Sequence, residues 1–122
     1  MAVFDDVLRE FGALLGLEDF KTGANGVAAL EIEGLGVFCL EAKGAEVTAY
    51  LVRTLPTHAL GAPAKALALC DWRRGHPFPV SAGLKGEGTL AFLMRIPERS
   101  FSLQVVEEAL NYLAGLHDEA VA

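Results

Sequence analysis

The residues FDDVLREFGALLGL (4–17) alternate apolar and polar positions at spacings of three and four. Phe4, Val7, Leu8, Phe11, Leu14 and Leu15 therefore share one broad face of a predicted helix. Asp5 and Asp6 fall in its first turn, where carboxylates favour the positive end of the helix dipole. Gly16 suits the left-handed residue that ends a helix, with Leu17 expected to fold back as its apolar lid. The next stretch, LEDFKTGANG, sustains neither the helical nor the strand period and reads as turns.

The period then shortens to two. In VAALEIE (27–33), Ala28, Leu30 and Ile32 face one way and Glu31 and Glu33 the other. Gly34 breaks this strand. LGVFCLEA (35–42) returns, apolar on both faces until Glu41, and Lys43 and Gly44 turn the chain into EVTAYLVR (46–53), rich in β-branched and aromatic residues. Three antiparallel strands in a meander are expected. Pro56 ends the run, and Pro63 suits the first turn of a second helix reaching about Arg74, before Gly75 and Pro77.

That helix, PAKALALCDWRR, is apolar on more than one side. Leu67 and Cys70 mark one stripe, while Ala62, Ala66 and Leu69 mark another. Packing on one sheet needs a single stripe, so the second is the candidate dimer contact. A hairpin follows, with arms 80–85 and 89–96 and its turn at Gly86 to Gly88. Ser100 or Ser102 then caps a last helix in which Leu103, Val106, Leu110, Leu113 and His117 keep the three-four spacing. The expected fold is one α+β domain over residues 1–122, in the order α-β-β-β-α-β-β-α, with an antiparallel sheet packed against helices.

Composition sharpens this picture. The chain has 122 residues, is 52% apolar and carries a formal charge of −6. Its mean hydropathy of +0.36 is high for a domain this small, which leaves much of its surface outside. Some apolar surface should therefore be covered by a partner, and the chain is expected to form dimers. The acidic balance argues against a nucleic-acid backbone or an anionic membrane as target. No apolar run approaches the roughly 20 residues of a membrane span, and the N-terminus opens on Asp5 and Asp6, unlike a signal peptide. Cytoplasmic residence is expected.

Candidate chemistry is sparse. Cys39 and Cys70 form no CxxC pair, and each reads as a small buried hydrophobe. His58, His76 and His117 lack metal-ligand spacing, and His117, beside Asp118 and Glu119, reads as part of a solvated tail. A nucleophilic cluster of Cys70, Asp71 and His76 is a distant third reading. GLKGEG (83–88) lacks the phosphate-loop spacing and reads as a hairpin turn. In DWRRG, Arg73 and Arg74 suit a helix C-terminus, while Trp72 with an arginine would suit a protein interface. No cofactor or metal is expected, and the chain is read as a non-enzyme. The leftover apolar surface should receive an extended polypeptide, in a groove or on a strand edge.

The F-G-x-x-L-G-L helix ending (11–17), the strand triplet, the central helix and the GLKGEGTLAFLMRIP hairpin resemble the small acidic class I type III secretion chaperones. Residues 64–116, with the KAL-A-L helix, the L-x-G-E-x-x-L hairpin and the ERS-x-x-L entry into the last helix, are most similar to the SycN branch. The resemblance implies a non-catalytic bacterial cytoplasmic chaperone. It would pair with itself or, as a heterodimer, with a second, YscB-like chaperone. It would bind the extended N-terminal segment of a secreted effector or YopN-like gatekeeper and keep it secretion-competent. On this sequence the resemblance implies a dimer surface from Ala62, Ala66, Leu69, Trp72, Arg73, Val80, Ala82 and Leu84. Cargo contacts would come from Phe4, Val7, Leu8, Phe11, Val27, Leu30, Leu35 and Val37. A small dimeric α+β adaptor without a secreted client is the alternative.

Overall fold

A computed structural model describes residues 2–84, 86 and 88–122. Its elements run α1 (Ala2–Leu14), β1 (Val27–Ile32), β2 (Gly36–Lys43), β3 (Glu46–Thr54), α2 (Ala62–Leu69), β4 (Val80–Leu84), β5 (Thr89–Pro97) and α3 (Leu103–Val121). This is the expected order. Short 3-10 turns at Trp72–Arg74 and Glu98–Ser100 separate α2 from β4 and β5 from α3. The five strands form one antiparallel sheet in the order β1-β2-β3-β5-β4, which leaves β1 and β4 as its edges. In the expected hairpin, Lys85 and Glu87 lie outside the described residues.

The strand period decides which side of the sheet is covered. Phe38, Leu40, Val47, Ala49, Leu51, Leu90, Phe92, Met94 and Ile96 alternate onto one face, all buried. The helices cover this face. α3 is the middle layer, touching α1, α2, β3 and β5. Its start follows from Ser102, one of the two expected caps, whose hydroxyl accepts from the Val105 amide at 3.2 Å. Its expected stripe widens: Val106, Leu110, Leu113 and His117 are buried together with Ala109, Ala114, Leu116 and Ala120.

His117 corrects the solvated-tail expectation. It is buried, stands edge-on to Phe92 with ring centroids 4.8 Å apart, and donates Nε2–H to the Leu51 carbonyl at 2.7 Å. Burial, followed by the nearby Arg53 charge, lowers its pKa; the Leu51 bond and Asp118 act in the other direction. On the buried side of α3 a neutral imidazole thus gives its N–H to a strand carbonyl instead of leaving it unpaired in the core.

α1 ends in the left-handed turn read from its glycine. Gly16 has φ +79, its amide reaches the Ala13 carbonyl at 3.1 Å, and the Leu17 amide reaches the Gly12 carbonyl at 2.8 Å. These are the two bonds of a Schellman ending. Leu17 itself stays exposed and is not the lid. Phe20 takes that place, packed over Gly12 and against Phe11 at 6.5 Å between ring centroids.

Candidate functional site

Catalysis finds no assembled site around Cys70. Burial pushes the Cys70 thiol up, opposite to what a nucleophile needs. Asp71 is engaged by Arg73, through its backbone amide at 2.9 Å and its guanidinium at 2.7 Å, and this pairing lowers the Asp71 pKa. His76 Nδ1 meets the Tyr112 hydroxyl, and its Nε2 is buried with no partner among the described residues. Among the described residues no helix is long and apolar enough to cross a membrane.

The exposed apolar residues lie elsewhere than expected. Phe4, Val7, Leu8 and Phe11, read as a cargo wall, are buried in the chain's own core. Phe11 packs edge-on to Phe38 and Phe4 against Phe101, with ring centroids 5.7 and 5.5 Å apart. Large side chains on α1 find complementary large side chains on β2 and before α3, so these four residues are not left over, whereas Leu14 and Leu15 of the same stripe stay exposed. Leu30 and Leu35 are half-buried against the same core, and Val27 is half-buried on β1. Of the expected cargo residues only Val37 is exposed, at 36%.

The stripes of α2 are inverted. Ala62, Ala66 and Leu69, expected to face a partner, are buried. Alanines permit close approach of α2 to α3 and β4, which it touches. Leu67, assigned to the sheet side, is 67% exposed, and Cys70 is half-buried. α2 also stops at Leu69 instead of reaching Arg74. The Asp71 carboxylate competes for the Arg73 amide and starts a separate 3-10 turn, which closes on left-handed Gly75. Arg73 and Arg74 thus do not cap a helix. Arg73 is exposed and pairs with Asp71, and Arg74 pairs with Glu119 of α3 at 3.2 Å.

The structure brings the outward side of α2 beside edge strand β4. Pro63, Leu67, Ala82, Gly83, Leu84 and Leu90 line an apolar groove of about 240 Å³ between them. Leu84 on its rim is 57% exposed, while Ala82 and Val80 on β4 are half-buried. Leu60 before the helix and Trp72 after it are 89% and 84% exposed. Leu60 and Leu67 are the exposed leucines that sequence reasoning missed. The signal was present: in an alanine-rich helix, the isolated large side chain pointing away from Ala62, Ala66 and Leu69 has no sheet to meet.

A second apolar region is the open face of the sheet. Val37 pairs with Val52, Cys39 with Tyr50, and Tyr50 with Leu93, all on the side without helices. The Tyr50 hydroxyl is pushed up to about 12 by partial burial and by Cys39 beside it. A third cluster is Leu14, Leu15 and Leu17 at the end of α1, all exposed.

The same fold occurs in several solved structures. Among solved structures, the fold matches the HopA1-SchA chaperone-effector complex with a TM-score of 0.71 at 14% identity, over 95% of this chain and 94% of that one. It matches the ExsC-ExsE complex with a TM-score of 0.70 at 20% identity, over 98% and 89% of the respective chains. These likenesses establish the fold. In sequence, the chain is 34% identical over 94 residues to chaperone protein SycN of Yersinia enterocolitica and of Yersinia pseudotuberculosis, covering 76% of each chain. The family model for the type III secretory system chaperone SycN matches residues 4–121, so this α+β chain belongs to the type III secretory chaperone SycN family.

Proposed function

We propose that this chain is one member of a chaperone pair that holds the N-terminal segment of a type III secreted protein in extended form. The observation that carries the pairing is the α2–β4 groove, with Leu67 and Leu84 standing free beside it. A monomer gains nothing by presenting two large aliphatic side chains around an apolar recess. A second chaperone of the same fold is favoured over a second copy. The outward side of α2 offers little besides Leu67, so two copies would bury little area against each other. Each copy also carries a formal charge of −6, which opposes self-association.

The client reading rests on the remaining surfaces: the α1 end at Leu14, Leu15 and Leu17, and the open sheet face at Val37 and Val52. Apolar side chains of an extended segment exchange water for these surfaces at about 25 cal/mol per Å². Spreading the contact along an extended chain offsets its ordering cost and keeps it from folding. No nucleotide is needed for this exchange. The client proposed is the gatekeeper protein of the secretion system that this chain serves.

Co-expression with the second chaperone and the gatekeeper's N-terminal segment tests the reading, with complexes sized by chromatography and light scattering. A three-part complex is expected, and Leu67→Asp should remove the second chaperone while the chain stays folded. A monodisperse monomer that captures neither protein would sink the proposal.

A further inference from the structure

Gly12 sits on α1 where any side chain would collide with Phe20 Cβ, so the helix carries a dimple there and an aromatic residue fills it. Phe20 is only half-buried. It reaches the dimple through Asp19, whose φ of +54 makes it the one left-handed non-glycine among the described residues. Residues 18–22 form no hydrogen bond among the described residues, backbone or side chain; the bonded chain resumes at Gly23. Phe20 is the side chain by which this strap packs against the core.

The dimple is continuous with other features of α1. Leu15 lies one turn beyond Phe11 and Gly12, and Leu14, Leu15 and Leu17 are exposed around the helix end. In the other direction Asp5, Arg9 and Gly12 share one side of the helix at spacings of four and three. Between that side and the strap runs a cleft of about 350 Å³, lined by Asp5, Arg9, Asp19, Phe20, Lys21 and Thr22. An apolar pocket at one end of a polar-walled cleft suits an extended peptide with one anchoring ring.

We infer that the Gly12 dimple is a binding site for an aromatic side chain of the client segment, and that Phe20 is its built-in stand-in, displaced when the client arrives. This rests on the chaperone reading above for the identity of the client, but not for the existence of the site. The internal occupant defines the ligand chemistry: a phenyl-sized ring lying against Phe11. Competition by Phe20 weakens the client's apparent affinity by the fraction of time the strap stays docked. A strap docked nine-tenths of the time corresponds to about tenfold.

Two substitutions pull in opposite directions. Phe20→Ala empties the dimple, while Gly12→Ala expels the ring and fills the space with a methyl group. Each full-length variant is checked for fold by circular dichroism. Each is then titrated with fluorobenzene by fluorine NMR, and with the labelled N-terminal segment of the gatekeeper. Phe20→Ala should bind fluorobenzene saturably and hold the segment several-fold, up to about tenfold, more tightly than the parent. Gly12→Ala should bind no fluorobenzene and hold the segment more weakly than the parent. If Phe20→Ala does not fold, Phe20→Leu replaces it, with a smaller gain expected. A folded variant lacking Phe20 that gains affinity for neither probe overturns the inference, as does Gly12→Ala behaving like Phe20→Ala. If the parent chain captures no segment but Phe20→Ala still takes up fluorobenzene in a Gly12→Ala-sensitive way, the client assignment is overturned and the aromatic site stands.

Discussion

α1 and α2 are both apolar helices, yet they treat their apolar residues in opposite ways. α1 turns Phe4, Val7, Leu8 and Phe11 inward, where they fill the space between sheet and α3, and leaves its stripe exposed only at the helix end, at Leu14 and Leu15. α2 turns Ala62, Ala66 and Leu69 inward and leaves Leu67 outside. The broad apolar stripe of α1 is mostly core, whereas the weakly amphipathic α2 keeps a large leucine in the middle of its outward side.

Truncating one residue on each helix puts this contrast to its hardest test. Phe11→Ala removes a ring wedged against Phe38 and Phe20 and should lower stability by about 3–5 kcal/mol. Leu67→Ala should change the stability of the isolated chain by no more than about 0.5 kcal/mol. Urea unfolding of both variants measures this. Comparable losses at the two sites would show that α2 is core like α1, and would remove the reason for assigning the groove to a partner.

A smaller effect comes from the contact between α3 and the sheet under α2 and α1. The His117 pKa is lowered in the folded state, so the unfolded chain binds a proton more readily. The imidazole's contribution is complete above the unfolded-state pKa, near 6.5, and is lost as pH falls below that value toward the folded pKa. The urea midpoint should therefore drop between pH 7.5 and pH 5.5, and His117→Gln should flatten that slope while costing some stability at every pH. An equal slope in parent and variant would assign the pH dependence to other groups.

Much of the architecture was legible because strands and helices have different periods, and this chain keeps them cleanly separated by Gly34, Gly44, Pro56 and Ser102. Element order and the helix-ending glycine follow from local pattern. The exposed apolar surfaces were not legible in the same way. Periodicity shows which residues share a face, but not which face looks inward, and for α2 two apolar stripes competed. Side-chain size decided between them, through contacts with α3 and β4 that are distant in sequence. The end of α2 was hidden for another reason: no glycine or proline stands between Leu69 and Arg74, and the break comes from the Asp71 carboxylate capturing the Arg73 amide. His117 was misread because its partner is a carbonyl 66 residues away, on β3.

The smallest effect concerns how each helix is fastened. α1 is held by buried rings, whereas α2 and its 3-10 extension also reach α3 through surface polar contacts: Lys65 Nζ to the Ala122 carbonyl at 3.2 Å, and Arg74 to Glu119. Both partners of the Arg74–Glu119 pair are about half exposed, so water and salt weaken it. Glu119→Gln should cost no more than about 0.5 kcal/mol in urea unfolding, and less at high salt. Its effect on pairing is the sharper readout. If the pair positions Trp72 and the end of α2 for a partner, Glu119→Gln should weaken assembly with the second chaperone by a few-fold while leaving stability almost untouched. If assembly is unchanged too, the α2 extension finds its place by packing alone, and Leu67 with the groove beneath it carries the interface without help from α3.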